Sequence, residues 1–434
     1  MKILFISRDL IAGNVAYLLK KEGHTVKLFI ENKKSRHNFD NMVPQTHNWR
    51  AELSWVGKDG LIIFDDVGYG KVQNRLRKQG YIVFGGSKGG DALELDREHG
   101  QYVFAKHGMK TMELKDFDNM DDAAMHIKKH PAAWVIKTNN HDRKFYNYVG
   151  ELESGEDTLS LLRSYLLNKA INKSQITLQR RVCGVEIGIG RYFNGTNWVG
   201  PIEYNVEHPR FLSGEIGPTT SEMGTLAWLD DNEKNPLFLA TLEKLKEHLH
   251  KIDFRGDFEI NCIVNEDGIY PLEATSRLGT PIVHLHSEFF SGSWCEFLYA
   301  IASGKNHEQK WKKGYGIVLL VAVPPFPYSA KKFNGNSYYG MNIYFKDFTE
   351  KDLEHIHFEE VSVRSFDKKQ YYITDNQGYI LYVTSIDSTI PGAQKKVYDL
   401  AKNIVIPKAM YRNDIGTEFM NDSLHKLRKW GYLK

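Results

Sequence analysis

The sequence predicts a chain of mixed class, with a doubly wound α/β domain at the N-terminus, α+β material after it and a small closing α+β domain. Three observations carry this. Up to about residue 100, short apolar runs (K-I-L-F-I, T-V-K-L-F-I, G-L-I-I-F, Y-I-V-F) alternate with helical stretches such as Val15 to Glu22, the pattern of parallel strands joined by crossover helices. Further on, a β-like run through Phe258, Ile260, Cys262 and Val264 turns at Asn265-Glu266-Asp267-Gly268 and returns through Ile269, Pro271 and Leu272, as a hairpin does. The chain has 434 residues, 41% hydrophobic and 26% charged, enough for several subdomains with their own cores.

Four consecutive pieces emerge along the chain. Residues 1–100 form the N-terminal α/β domain. No G-x-G-x-x-G follows its first strand, so a dinucleotide site is unsupported. Residues 101–182 read as a mixed lid, with a helix near Ala123 to Lys129, a W-V-I-K strand ending at Lys137, a polar loop, and a helix around Thr158 to Asn172. Residues 183–305 supply the larger sheet and an amphipathic helix near Phe238 to His250. Residues 306–434 alternate strands with one helix near Ala393 to Asn403 and form the closing domain. There are no repeats and no low-complexity linker.

Charge and cysteine usage narrow the partners. A net charge of +3, from 57 dispersed basic residues, gives no basic patch for nucleic acid. Three widely spaced cysteines (Cys183, Cys262, Cys295) fit buried thiols in a reducing compartment better than a disulfide framework or a zinc site. Neither a signal peptide nor an apolar run of membrane-spanning length is present. The expectation is a cytoplasmic monomer or homodimer acting on small molecules, without membrane or nucleic-acid partners.

The chemistry concentrates between Pro201 and Glu288. The hairpin places Asn261 and Glu273 where strand partners face one another, an oxygen pair suited to Mg²⁺, which takes hard ligands and leaves positions for waters and phosphates. Around it stand, in order, Lys137 at a strand end, the strand Q-R-R-V-C-G-V-E from Gln179 to Glu186, the segment E-H-P-R from Glu207 to Arg210, and G-P-T-T-S-E-M-G from Gly217 to Gly224. Each has a plain structural alternative: Lys137 can snorkel to solvent, the paired arginines can be a solvated strand face, and Arg277 can sit in an ordinary salt bridge.

Taken together, these segments resemble the ATP-grasp ligases, and within them the phosphoribosylamine–glycine ligases (glycinamide ribonucleotide synthetases). The family's aspartate-histidine-lysine-arginine run is matched by Glu207, His208, Pro209 and Arg210. Its glycine-proline-asparagine-threonine-glycine-glycine-methionine-glycine loop is matched by Gly217, Pro218, Thr219, Thr220, Ser221, Glu222, Met223 and Gly224, at the family's spacing. Near the C-terminus Tyr411 to Gly416, with Arg412 and Asp414, resembles the arginine-x-aspartate-isoleucine-glycine ending. The resemblance runs from Met1 to about Glu418.

It implies an ATP-grasp fold and an ADP-forming carboxylate–amine ligase that uses ATP and Mg²⁺ (or Mn²⁺) to make an acyl phosphate. Lys137 and Arg97 would contact phosphates. Gln179, Arg181 and Val182 would lie on the hinge that meets adenine, and Glu186 would accept the ribose hydroxyls. Glu273 would be the bridging metal ligand, with Asn261 and Thr275 at the other metal positions and Arg277 stabilising the transferring phosphoryl group. Glu207, His208, Arg210, Gly217, Thr219, Thr220, Ser221, Met223, Gly224, Arg412 and Asp414 would bind substrate.

The departures are as specific as the matches. Thr275 replaces an asparagine, and Ser221 and Glu222 replace small residues. The N-terminal Gly/Arg turn that helps hold the phosphoribosylamine phosphate becomes Asp9-Leu10-Ile11-Ala12-Gly13, and a second substrate segment becomes Asp65-Asp66-Val67-Gly68-Tyr69-Gly70. The loop after Lys137 has lost its glycines, although Arg143 and Lys144 could still cover phosphates. Three functions therefore stand open: a ligase joining glycine or another amino acid to an amine related to, though not necessarily identical with, phosphoribosylamine; the phosphoribosylamine–glycine ligase itself; and a catalytically silent nucleotide-binding or scaffold protein.

Overall fold

The computed structural model describes residues 1–137, 148–167, 175–308, 310–328, 338–366, 370–374 and 377–434. The polar loop expected after Lys137, with Arg143 and Lys144, and the end of the helix expected to reach Asn172 lie outside them.

The first four apolar runs become strands of one five-stranded parallel sheet, ordered Gln45–Thr46, Thr25–Ile30, Lys2–Ser7, Leu61–Phe64, Ile82–Phe84. Leu61–Phe64 is buried throughout, because helices cover both faces of such a sheet and leave it no wet side. Ile3, Phe5 and Ile63 pack against Val15 and Leu19 of helix Gly13–Lys21 on one face, while Leu4, Ile6 and Ile62 pack with Leu76 of helix Gly70–Lys78 on the other. Helices Lys88–Leu95 and Arg97–Lys106 then run against the Gly268–Thr275 strand. Asp96 caps the second by accepting the His99 N–H, which leaves Arg97 at its first turn.

A second sheet of four antiparallel strands follows, ordered Leu114–Phe117, Ile176–Arg180, Trp134–Lys137, Tyr148–Val149. Helices Met120–Lys129 and Glu156–Leu166 cover it and enclose a separate core of Met120, Ile127, Trp134, Ile136, Leu162 and Leu178.

The third sheet has eight strands, ordered Gly268–Thr275, Arg255–Asn265, Val185–Asn194, Trp198–Glu207, Gly224–Asp230, Tyr315–Ala322, Tyr379–Asp387, Ile356–Phe358. Gly224–Asp230 pairs antiparallel with Tyr315–Ala322, so backbone hydrogen bonds run without interruption between residues on either side of 305. The expected helix near Phe238 to His250 is two helices, Pro236–Ala240 and Leu242–Lys251. They break at Thr241, whose hydroxyl donates to the Leu237 carbonyl at 2.5 Å while its own backbone leaves the helical region. Among the described residues no helix is long and apolar enough to cross a membrane.

Candidate functional site

The hairpin expected between Phe258 and Leu272 forms, and its register places Asn261 opposite Glu273 and Glu259 opposite Thr275. Strand alternation then builds one polar face. Phe258, Ile260, Cys262 and Val264 point into the core, which leaves Asp257, Glu259 and Asn261 on the opposite side. The next strand meets Glu259 and Asn261 with Gly190 and Gly188, and the strand beyond adds Glu203, Asn205 and Glu207. The two glycines make room: a Cβ at Gly188 would lie 2.4 Å from the Asn205 side-chain oxygen.

At the edge of this face four charged groups converge. Arg97 Nη2 meets Glu273 Oε2 at 3.1 Å. Lys137, at the end of the lid strand, is held down to about 8 by loss of water and then by the charge of Arg97, against the attraction of Glu273 and Glu186. The Glu186 carboxyl is pushed up by surrounding protein and by Glu273, although solvent reaches the residue and screens part of that effect. Lys137, Arg97, Glu186 and Glu273 are thus brought together from the lid, the helix start and two strands. Beside them Gln179 is buried, its amide donating to Met112 Sδ at 3.0 Å, and Arg181 Nη1 donates to the Gly150 carbonyl at 3.0 Å. Val182 is half-buried on the segment between the lid sheet and Glu186.

Deeper in the face, carboxylates crowd. Burial, then Glu259, Glu186 and Glu273, push the Glu207 carboxyl far above its usual range, while a hydrogen bond from Asn261 works against this. Asn261 itself is 7% exposed, and its side-chain Oδ1 has no hydrogen-bond partner. Below lies a network that the motifs did not reveal. His286 contacts Glu203 through Nε2 and the Tyr192 hydroxyl through Nδ1, and Asn205 donates to Glu203 at 2.6 Å and to Glu259 at 3.0 Å. Burial opposes the His286 cation, but Glu203 and Asp257 outweigh it and raise its pKa. The alternation D-F-E-I-N at 257–261 was the available signal for this face. Its partners Glu203 and His286 are 83 residues apart and meet only once the register is known.

Arg277 is half-buried, its Nε donating to Glu94 Oε1 at 3.0 Å, with Asp66 and Glu259 also close enough to favour its charge. It therefore faces the N-terminal domain rather than Lys137.

The family-like segments between 207 and 224 divide. Arg210–Leu212 and Ile216–Thr219 pair as a small hairpin, in which Arg210 Nη1 donates to the Gly217 carbonyl at 3.0 Å and Thr219 lies opposite Arg210. The Thr220 hydroxyl donates to Pro209 O at 2.8 Å, Ser221 bonds the Tyr379 side chain, and Met223 is fully buried. Glu222 Oε1 accepts the His208 N–H at 2.6 Å and the Gly224 N–H at 3.2 Å.

His208, Arg412 and Asp414, expected to contact substrate, are engaged internally. Burial holds His208 down to about 4. As a neutral ring it donates from Nδ1 to Gly224 O and accepts the Gly416 N–H at Nε2. Arg412, 1% exposed, donates to Glu215 Oε1 at 2.6 Å, to both Asp414 oxygens at 2.8 Å and to Arg210 O at 3.0 Å. This guanidinium straps the C-terminal segment to the hairpin. Arg412→Met is expected to cost about 3 kcal/mol of folding stability, read by urea denaturation, since it strands two carboxylates that have lost their cation.

No protein-family model matches the chain. Over 363 residues it is 22% identical to a curated phosphoribosylamine–glycine ligase of Streptococcus pneumoniae, covering 82% of each chain, and over 388 residues it is 23% identical to that of Fusobacterium nucleatum, covering 86% and 85%. The crystal structure of the Thermotoga maritima phosphoribosylamine–glycine ligase superposes with a TM-score of 0.71 at 19% identity, covering 96% of this chain and all of that one. The biotin carboxylase domain of Hydrogenobacter thermophilus 2-oxoglutarate carboxylase, a complex with MgADP, ADP and bicarbonate, superposes with a TM-score of 0.65 at 14% identity, covering 100% and 99%. Three sheets in this order, the charged edge beside the central sheet, and these likenesses give the chain an ATP-grasp fold and a similarity, at about a fifth of positions, to the phosphoribosylamine–glycine ligases.

Proposed function

We propose that the protein is an ADP-forming carboxylate–amine ligase that activates glycine or another amino acid with ATP as an acyl phosphate and passes the acyl group to an amine. The observation that carries this is the convergence of Lys137, Arg97, Glu186 and Glu273 beside the unpartnered oxygen of Asn261. ATP lies in this reading between the lid and the central sheet. Gln179 to Val182 offer backbone to adenine, Glu186 accepts from the ribose, and Lys137 and Arg97 hold phosphate oxygens.

The acidic face fits a hard divalent cation. Among the described residues no three His, Cys, Asp or Glu side chains form a ready-made cage, which suits Mg²⁺, since it completes its octahedron with phosphates and water. Glu273 and Asn261 Oδ1 would hold it, and bound Mg²⁺ supplies neutralisation of phosphate charge. Thr275 lies beside Glu259, whose carboxylate is the stronger oxygen donor at that register position. Arg277 stands over the acceptor side of the transferring group. Closure of the lid excludes water from the acyl phosphate, which would otherwise hydrolyse.

The names of the relatives favour a second reading, in which phosphoribosylamine itself is the acceptor. Mg²⁺-dependent ADP release, screened over amino acids and amines, tests the ligase reading. Turnover that requires both a carboxylate and an amine is expected. Absence of nucleotide binding together with absence of turnover would leave the silent-scaffold reading standing.

A further inference from the structure

The strand order of the N-terminal sheet reverses between Lys2–Ser7 and Leu61–Phe64, and doubly wound sheets hold ligands in the crevice at the carboxyl ends of such a pair. Here those ends carry Arg8, Asp65 and Asp66, and Arg277 approaches from the central sheet, close enough to Asp66 to feel its charge. The Thr280 hydroxyl closes one wall by donating to the Ile11 carbonyl at 2.5 Å. The ligase reading, on which this inference rests, puts the acceptor amine in the same crevice.

A phosphate group needs free backbone N–H groups and positive charge that is not already matched. In this crevice the protein's own carboxylates have taken both. Asp91 accepts the Gly68 N–H through Oδ1 and the Gly70 N–H through Oδ2, each at 2.8 Å. Asp65 Oδ2 accepts the Ala12 N–H at 3.1 Å and the Ser7 hydroxyl at 2.8 Å, and the Leu10 N–H is bound by Ser7 Oγ at 2.7 Å. The guanidinium of Arg8 lies 3.6 Å from Glu31 and near Asp66, and that of Arg277 is held by Glu94. Arg8 also lies against the Gly68 backbone: a Cβ there, where φ is +89°, would be 2.4 Å from its Nη2.

The balance of fixed charge is negative, with Glu31, Asp66, Asp91 and Glu94 set against Arg8 and Arg277. Beneath them Asp65 is fully buried with its Oδ1 unpartnered, and burial followed by the Asp66 charge raises its carboxyl to about 8. Bringing an anion into this crevice would add repulsion, whereas a cation would relieve it.

We propose that the acceptor site takes a phosphate-free amine carrying positive charge, and that internal carboxylates stand where a phosphorylated amine would place its phosphate. Calorimetry on the Mg²⁺-loaded protein with a non-hydrolysable ATP analogue tests this with three probes: 1,4-diaminobutane, ribose 5-phosphate and inorganic phosphate. The diamine is expected to bind, and Asp66→Asn to weaken it by about ten- to a hundred-fold, the worth of one charge-assisted contact. Asp91→Ala frees the Gly68 and Gly70 N–H groups and is expected to create ribose 5-phosphate binding that the wild type lacks. Binding of ribose 5-phosphate or phosphate to the wild type in competition with the diamine overturns the proposal, as does absence of diamine binding or its indifference to Asp66→Asn. Binding of the nucleotide analogue, followed in the same titrations, tests the ligase reading separately, because its loss removes that reading whatever the amine does.

Discussion

Glu273→Gln is expected to lower kcat by about a hundred- to a thousand-fold, the range seen when one preorganised electrostatic contact to a transferring group is removed. The substitution keeps volume and hydrogen-bonding reach and deletes one charge. Glu273 is 45% exposed and its strand is anchored by main-chain pairing to Arg255–Asn265, so the melting temperature should hardly move. Two partners would feel the loss. Arg97 loses its ion pair at 3.1 Å, and the cation position proposed beside Asn261 Oδ1 would lose its charged ligand. The apparent Mg²⁺ requirement should therefore rise along with the fall in kcat. Turnover within a few-fold of the wild type would remove Glu273 from the role given to it.

Lys137→Met should lower kcat/KM for ATP by about a hundred-fold if the ligase reading holds, since it removes the half-buried cation assigned there to phosphate while keeping the apolar stem. The same residue predicts a pH signature. Its pKa is held down to about 8, so the free protein loses this charge as pH rises through that value. Triphosphate beside it favours the protonated form, so ATP binding should take up a proton near and above pH 8 and should weaken as pH rises further. Calorimetry in buffers of different ionisation enthalpy measures that uptake. It should vanish in Lys137→Met, and persistence of the full uptake in the variant would assign the proton to another group.

Much of the architecture was legible because it rests on local pattern. The parallel strands announce themselves as unbroken apolar runs, and the 258–272 hairpin as alternation around an Asn-Glu-Asp-Gly turn. The split at Thr241 was not legible, because the apolar spacing continues through it and only the backbone geometry reveals the break. Lys137, Arg97, Glu186 and Glu273 could be named in advance from the family resemblance, and the structure brings them to one edge. His208 and Arg412, named for substrate from the family resemblance, have their polar atoms engaged by Gly224, Gly416, Glu215 and Asp414. Nothing in a linear string says whether a polar atom is already bonded. The carboxylates that fill the N-terminal turns escaped for the same reason: Asp91 is 23 residues from Gly68, and the bond exists only after a helix has been packed against the turn.

The separate core of the lid has a kinetic consequence. Lys137 belongs to a small body held together by Met120, Trp134 and Leu162, whereas Arg97, Glu186 and Glu273 are fixed to the main mass through the central sheet. In the ligase reading, the field that a nucleotide meets would then depend on one angle. With this body swung out, the edge would present two carboxylates and a single guanidinium, a poor trap for triphosphate, and with it swung in a second cation would arrive. Capture of the nucleotide and sealing of the reaction from water would be the same movement, and the rate of opening would set how long product is retained.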